Sequence, residues 1–94
     1  MLAVSATPSL SRIAKKLHAR DKKVLDKAIQ AALASPQIGE EKKGDLSGVF
    51  VYKFKPNGQE TLLAYELKPH KTAPIEAILL AFGPHQNLYA GLKR

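Results

Sequence analysis

Apolar residues in the first third of the chain recur at helical spacing, and from Val49 onward the period drops to two. Thr7-Pro8 has the form of a helix start. A threonine oxygen can accept from free backbone amides, and proline at the first helical position gives up no needed donor. A short helix is predicted from Ser9 to about His18, with Leu10, Ile13, Ala14 and Leu17 on one side and Arg12, Lys15 and Lys16 on the other. A second is predicted from about Asp21 or Lys22 to Leu33, burying Val24, Leu25, Ala28, Ile29 and Ala32 or Leu33. Ser35-Pro36 ends it, because proline cannot continue the backbone ladder. Together the two form a helical hairpin.

Residues 37–48 are polar and hold Gly39, Gly44 and Gly48, the composition of a loop. Phe50, Tyr52 and Phe54 then alternate with Val51, Lys53 and Lys55, so one face of this strand is aromatic and the other ends in lysines. Pro56-Asn57-Gly58 supplies a hairpin turn. Thr61 to Leu67 follows as the partner strand and Ile75 to Phe82 as a third, separated by the partly basic connection 68–74 and closed by Gly83-Pro84. Residues 2–6 are a candidate short edge strand. His85 to Arg94 reads as a turn or short helix with a basic end. The expected fold is α+β: an N-terminal helical hairpin packed on a small antiparallel sheet of three or four strands, followed by a short C-terminal helix. One domain accounts for residues 1–94.

Composition narrows the function. With 45% apolar and 24% charged residues the chain belongs to the globular class, and no run reaches the roughly 18 to 20 apolar residues of a membrane helix. Zero cysteines remove disulfides, thiolate nucleophiles and cysteine metal sites, so no metal or cofactor is expected and the cytoplasm is the default location. Fifteen Lys and Arg against eight Asp and Glu leave a net charge of +7, which attracts a polyanion or an acidic protein through a salt-screened field.

No phosphate-cradling glycine motif, zinc-spaced histidine pair or nucleophile elbow is present, which leaves polyanion chemistry or simple binding. RNA cleavage needs little machinery, because the ribose 2′-hydroxyl is itself the nucleophile. Protein groups must remove its proton, offset charge on the phosphorus and protonate the leaving oxygen. His85 and Tyr89, four apart, share a face if the C-terminal segment is helical. His85 can exchange a proton near neutral pH, and Tyr89 can stack on a base or bond a phosphate. A helix-start histidine and a core tyrosine would look the same. Lys53 and Lys55, two apart on one strand face, suit a phosphate, and a solvated sheet face accounts for them equally well. Lys15, Lys16, Arg20, Lys22 and Lys23 form the densest basic region, which Lys42, Lys43, Lys93 and Arg94 can extend for docking to nucleic acid. Tyr52 reads as core, Tyr65 as belonging to either face, His18 as meeting a helix dipole and His70 as a loop residue.

The strings Ile38-Gly39-Glu40, Lys43-Gly44-Asp45-Leu46-Ser47-Gly48, Val51-Tyr52-Lys53-Phe54-Lys55, Leu62-Leu63-Ala64-Tyr65-Glu66 and Gly83-Pro84-His85-Gln86-Asn87-Leu88-Tyr89, ending in Leu92-Lys93-Arg94, resemble a toxin of the RelE/ParE superfamily. The resemblance runs from about Thr7 to the C-terminus. It implies the toxin of a bacterial type II toxin–antitoxin module, neutralised by an acidic antitoxin that wraps over it. RelE-like members cut messenger RNA in the ribosomal decoding site, whereas ParE-like members poison DNA gyrase and carry no nuclease constellation. The closing Gly83-x-His85-x-x-Leu88-Tyr89 is similar to the ending of the YafQ-like nucleases. By that likeness His85 takes the proton-transfer role and Tyr89 helps position the nucleotide. The strand from Gly48 departs from the YafQ pattern: Phe50 stands where arginine is expected, Lys53 where histidine is and Asn57 where aspartate is. Other RelE-like nucleases rely more on lysine and arginine, which keeps Lys53 and Lys55 as candidate catalytic groups. The first expectation is therefore a metal-independent, ribosome-dependent endoribonuclease acting on translated mRNA by 2′-hydroxyl attack. The alternatives are a non-enzymatic gyrase inhibitor and a basic domain with decayed activity that only binds an antitoxin.

Overall fold

Thr7 starts the first helix as its chemistry requires. In the computed structural model, which describes residues 3–42, 48–69 and 74–84, Thr7 Oγ1 accepts from the Leu10 amide at 3.2 Å and Pro8 opens α1 (Pro8–Lys16). The Thr7 amide also donates to the Leu79 carbonyl at 3.0 Å, so the helix start is tied to the sheet. Lys15 and Lys16 close α1, where cations suit the negative end of the helix dipole. The second helix, α2 (Ala19–Ala34), begins before the expected Asp21. Ala19 and Arg20 are good helix formers, and Asp21 serves as the acidic residue of the first turn. His18 is the N-cap residue and makes no side-chain capping bond, so it meets the positive end of the dipole. A 3₁₀ turn, Pro36–Ile38, follows α2.

The sheet has five strands, β1 (Ala3–Ala6), β2 (Glu40–Glu41), β3 (Val49–Phe54), β4 (Thr61–Lys68) and β5 (Glu76–Pro84), in the order β1-β5-β4-β3-β2. It is mixed, and this corrects the expected three or four antiparallel strands. The pairs β2–β3, β3–β4 and β4–β5 are antiparallel, whereas β1 runs parallel to β5 from Ala3 opposite Glu76 to Ala6 opposite Leu79. The direction follows from connectivity: β1 feeds straight into α1, and α1 packs over β5. The segment 37–48 is not wholly a loop. Glu40 and Glu41 carry no apolar alternation, yet they pair with Val51 and Phe50 because the edge of β3 offers unpaired backbone groups. Gly83 and Pro84 extend β5 instead of closing it, opposite Leu62 and Thr61, and proline is tolerated at a strand end. The expected C-terminal helix over 85–94 lies outside the described residues.

Alternation sorts the side chains into two clusters. On the helix side, Phe50, Leu63, Tyr65, Leu79 and Phe82 meet Leu10, Leu25, Ala28 and Ala32. On the other side Val49, Val51, Leu62 and Ala64 pack with Leu80 and Ala81. Two consecutive residues of β5 share that side because the register shifts at Ala64/Tyr65 and leaves Leu80 as an extra residue.

Tyr65, whose face was open from sequence, belongs to the helix side. It is fully buried and its ring stacks on Phe50 with centroids 5.7 Å apart. Its hydroxyl donates to the Pro36 carbonyl at 2.8 Å and accepts from the Gly39 amide at 3.1 Å, which clamps the turn leading into β2. Residue 39 must be glycine, since a Cβ there would lie 2.5 Å from that hydroxyl oxygen. Burial pushes the Tyr65 phenol above its usual 10.0, partly offset by the Gly39 amide.

Tyr65→Phe leaves the Gly39 amide and the Pro36 carbonyl without their shared partner, and urea unfolding should show a loss of about 1–3 kcal/mol. Because the folded phenol has the higher pKa, its contribution is fully present below about pH 10 and is lost above it, where the unfolded phenol ionises first. The stability difference between the wild type and Y65F should therefore shrink as pH rises through 10. A difference that is constant across that range would show that the hydroxyl is not desolvated.

Candidate functional site

Lys53 leaves β3 on the same side as Val51, away from the helices, opposite Leu62 of β4. Lys55 follows the end of the strand, and both lysines are exposed. Leu62, opposite Lys53, still belongs to the apolar cluster of this side, while Lys53 itself is exposed. The β2 register puts Glu40 opposite Val51 and therefore on the Lys53 side. Its carboxyl is held below the usual range, first by a hydrogen bond from Lys42 Nζ at 3.2 Å, then by the charges of Lys42 and Lys53. These cations can offset phosphate charge or meet an acidic surface.

Phe50, which occupies the arginine position of the YafQ-like pattern, is a core residue at 4% exposure. A guanidinium in its place would have to enter the stack on Tyr65. Tyr52 is half-buried on the helix side, in agreement with its reading as core. His85 and Tyr89, the candidate acid–base and nucleotide-positioning residues, lie outside the described residues, as do Lys43, Lys93, Arg94 and His70. The site proposed from sequence is therefore described only at Lys53 and Lys55.

The basic helix residues Lys15, Lys16, Arg20, Lys22 and Lys23 are all exposed. The structure divides them. Arg20, Lys23 and Lys27 recur at i, i+3 and i+7 along α2 and share one side of it. Lys22 lies instead beside Lys15 across the hairpin, where the two line a cavity of about 300 Å³ with Leu25 and Asp26. Sequence reasoning passed over Lys27. Its helical spacing was visible, but its significance comes from β3: Lys27 borders a cavity of about 340 Å³ with Val24, Ala28, Tyr52, Phe54 and Pro56. A second cavity of about 320 Å³ adjoins through Val24 and Pro56 and reaches Arg20, Leu17 and Phe82. Among the described residues no helix is long and apolar enough to cross a membrane.

The family model described as ParE-like toxin of type II bacterial toxin-antitoxin system matches residues 4–93. The chain belongs to this ParE-like toxin family. Its fold is shared with solved structures of RelE from E. coli. The isolated RelE toxin is 18% identical, with a TM-score of 0.68 over 97% of this chain and 94% of that one. RelE in the intact RelBE toxin–antitoxin complex is 19% identical, with a TM-score of 0.67 over 89% and 96% respectively. A mutant RelE in complex with a RelBc antitoxin peptide is 18% identical, with a TM-score of 0.65 over 96% and 92%. At these identities the likeness describes the fold. No curated protein matches the sequence. The superfamily resemblance carried by the sequence strings thus holds across the chain.

Lys53 and Lys55 contribute charge and not packing. Their double alanine variant should keep its thermal unfolding midpoint, with stability within about 0.5 kcal/mol of wild type, while eluting from immobilised heparin at lower salt. A large stability loss would reassign the pair to the scaffold.

Proposed function

We propose that this ParE-like chain is the toxin of a type II toxin–antitoxin pair, restrained by an acidic antitoxin, and that it arrests growth by binding DNA gyrase without covalent chemistry. The observation that carries this reading is the family match over residues 4–93. The burial of Phe50 supports it, because the side chain at the arginine position of the YafQ-like nucleases is committed to the core. On this reading Lys53, Lys55 and the basic helix residues are contact groups. The +7 charge accelerates encounter with an acidic antitoxin, which need not be folded beforehand.

A second reading, a ribosome-dependent endoribonuclease, is favoured by one specific observation: Lys53 and Lys55 stand exposed, two apart, at the end of β3. There the ribose 2′-hydroxyl loses its proton, its oxygen bonds to the adjacent phosphorus, and the 5′-oxygen leaves with a proton. A 2′,3′-cyclic phosphate results, which a water molecule can hydrolyse to a 3′-phosphate and a free 2′-hydroxyl. Lys53 and Lys55 offset the charge gained on the phosphoryl oxygens, His85 transfers the proton and Tyr89 orients the nucleotide. The helix cations Lys15, Lys16, Arg20, Lys22 and Lys23, with Lys43, Lys93 and Arg94, dock on ribosomal RNA.

Brief induction of the chain in antitoxin-free cells separates the readings when new mRNA 5′ ends and gyrase-linked DNA breaks are scored in the same samples. Gyrase-linked breaks with intact mRNA are expected. Codon-phased mRNA ends without breaks would replace the gyrase reading with the nuclease, for which a K53A/H85A double substitution should abolish cleavage. Neither signal, with antitoxin binding retained, would leave a domain whose activity has decayed.

A further inference from the structure

Charge is spread unevenly over the fold. Residues 8–34, which carry both helices, hold seven Lys and Arg against two Asp, whereas residues 35–69 hold five cations against five carboxylates. The helical hairpin is therefore the electropositive pole of the molecule. Its cations fall on two sides. Arg20 and Lys27 border the apolar groove that the two cavities beside β3 form. Arg12, Lys15 and Lys16 recur at i, i+3 and i+4 on the outer side of α1, and Lys22 joins them from α2, where it shares an opening with Lys15. All four are exposed, and among the described residues none of them makes an ion pair. Asp26 is the carboxylate at that opening.

We propose that this outer face of the hairpin binds the phosphate backbone of duplex DNA without reading its bases, so that the toxin holds gyrase and its DNA together. The proposal rests on the gyrase reading above and deepens it by making DNA a direct contact of the toxin. A protein partner needs apolar or aromatic anchors to grip. This face offers none: the exposed large hydrophobic residues among those described, Val4, Ile38 and Ile75, all lie off the hairpin. Single strands are held by bases stacked on aromatic rings. The first Phe, Tyr or Trp of the chain is Phe50, in the core, so the hairpin has no such platform. What it does present is long cationic side chains from two helices, the chemistry that neutralises successive phosphates and releases their counterions. Phosphates do not by themselves distinguish DNA from RNA; the gyrase reading selects DNA.

The test measures binding of the purified full chain, by fluorescence anisotropy, to labelled DNA duplexes of two unrelated sequences, to their separated strands and to an RNA duplex, over a range of salt. The two DNA duplexes should bind equally and more tightly than the single strands, with affinity falling steeply as salt rises. Lys15→Ala combined with Lys22→Ala should weaken both duplexes alike and reduce the salt slope by about 2, one unit for each lost phosphate contact. Alanine suits a helix surface, so the double variant keeps its fold. Lys68→Glu, at the exposed end of β4, removes as much charge away from the hairpin and should leave the slope unchanged. With gyrase, K15A/K22A should need more toxin to give the same DNA breaks, while its affinity for gyrase free of DNA stays as in wild type. An unchanged slope in K15A/K22A, or an equal loss in K68E, would overturn the proposal. Tighter binding to single strands or to the RNA duplex would overturn it too, the latter in favour of the ribosomal reading. Weaker binding of K15A/K22A to DNA-free gyrase would overturn it by assigning the face to the gyrase surface. Duplex binding that behaves as expected in a chain that causes no gyrase-linked breaks would leave the DNA-binding face standing and remove the gyrase reading.

Discussion

Leu62, Leu63, Ala64 and Tyr65 of β4 are all at 0% exposure, and a strand buried on both faces commits everything around it. Each face needs apolar cover. The helical hairpin provides it on one side, and a separate cluster of Val49, Val51, Leu80 and Ala81 gathers around Leu62 and Ala64 on the other. Burying each large side chain contributes about 1.5–3 kcal/mol, and the centre of β4 holds three of the most deeply buried ones, Leu62, Leu63 and Tyr65. Its backbone is satisfied only by neighbours on both edges, which fixes β3 and β5 as its partners. Tyr65 brings a polar atom into this region, and the two hydrogen bonds of its hydroxyl turn a desolvation cost into the clamp that positions β2.

The candidate functional surfaces are consequences of where that core stops. Lys53 and Lys55 are exposed at the end of β3, Lys53 opposite Leu62 at the last pair of the apolar cluster of their own face and Lys55 near the Pro56–Gly58 turn. The groove forms on the opposite side of the same strand, where α2 crosses the aromatic row and leaves Tyr52 and Phe54 incompletely covered. One strand therefore presents cations on one face and an apolar floor on the other. Both are surfaces a protein partner can cover without disturbing the core.

Charge links these surfaces to regulation. On the proposed toxin–antitoxin reading, the cations offered to gyrase or ribosomal RNA would also attract an acidic antitoxin, and a partner that neutralises them would lower the encounter rate with any polyanionic target.

The local signals were read correctly because they are local. The Thr7-Pro8 cap, the apolar stripes of both helices, the aromatic face of β3 and the Pro56–Gly58 turn each follow from side-chain chemistry within a few residues, and each was legible in the sequence. The missed features depend on distant partners. Glu40-Glu41 becomes a strand only because β3 offers an open edge. The stretch Ala3–Ala6 pairs parallel because β5, more than seventy residues later, runs in its direction. The extra residue Leu80 conforms to no alternation, and the choice of face for Tyr65 depended on Pro36 and Gly39 lying within reach of its hydroxyl. For the site, the sequence determined that cations recur at the end of β3 and along α2, together with the superfamily resemblance. Only the tertiary structure decided that Phe50 belongs to the core, that Glu40 stands beside Lys53, and that Lys27 borders an aromatic groove. Periodicity records which face of an element is apolar, whereas the occupant of that face is chosen by packing and hydrogen bonds between segments far apart in the chain.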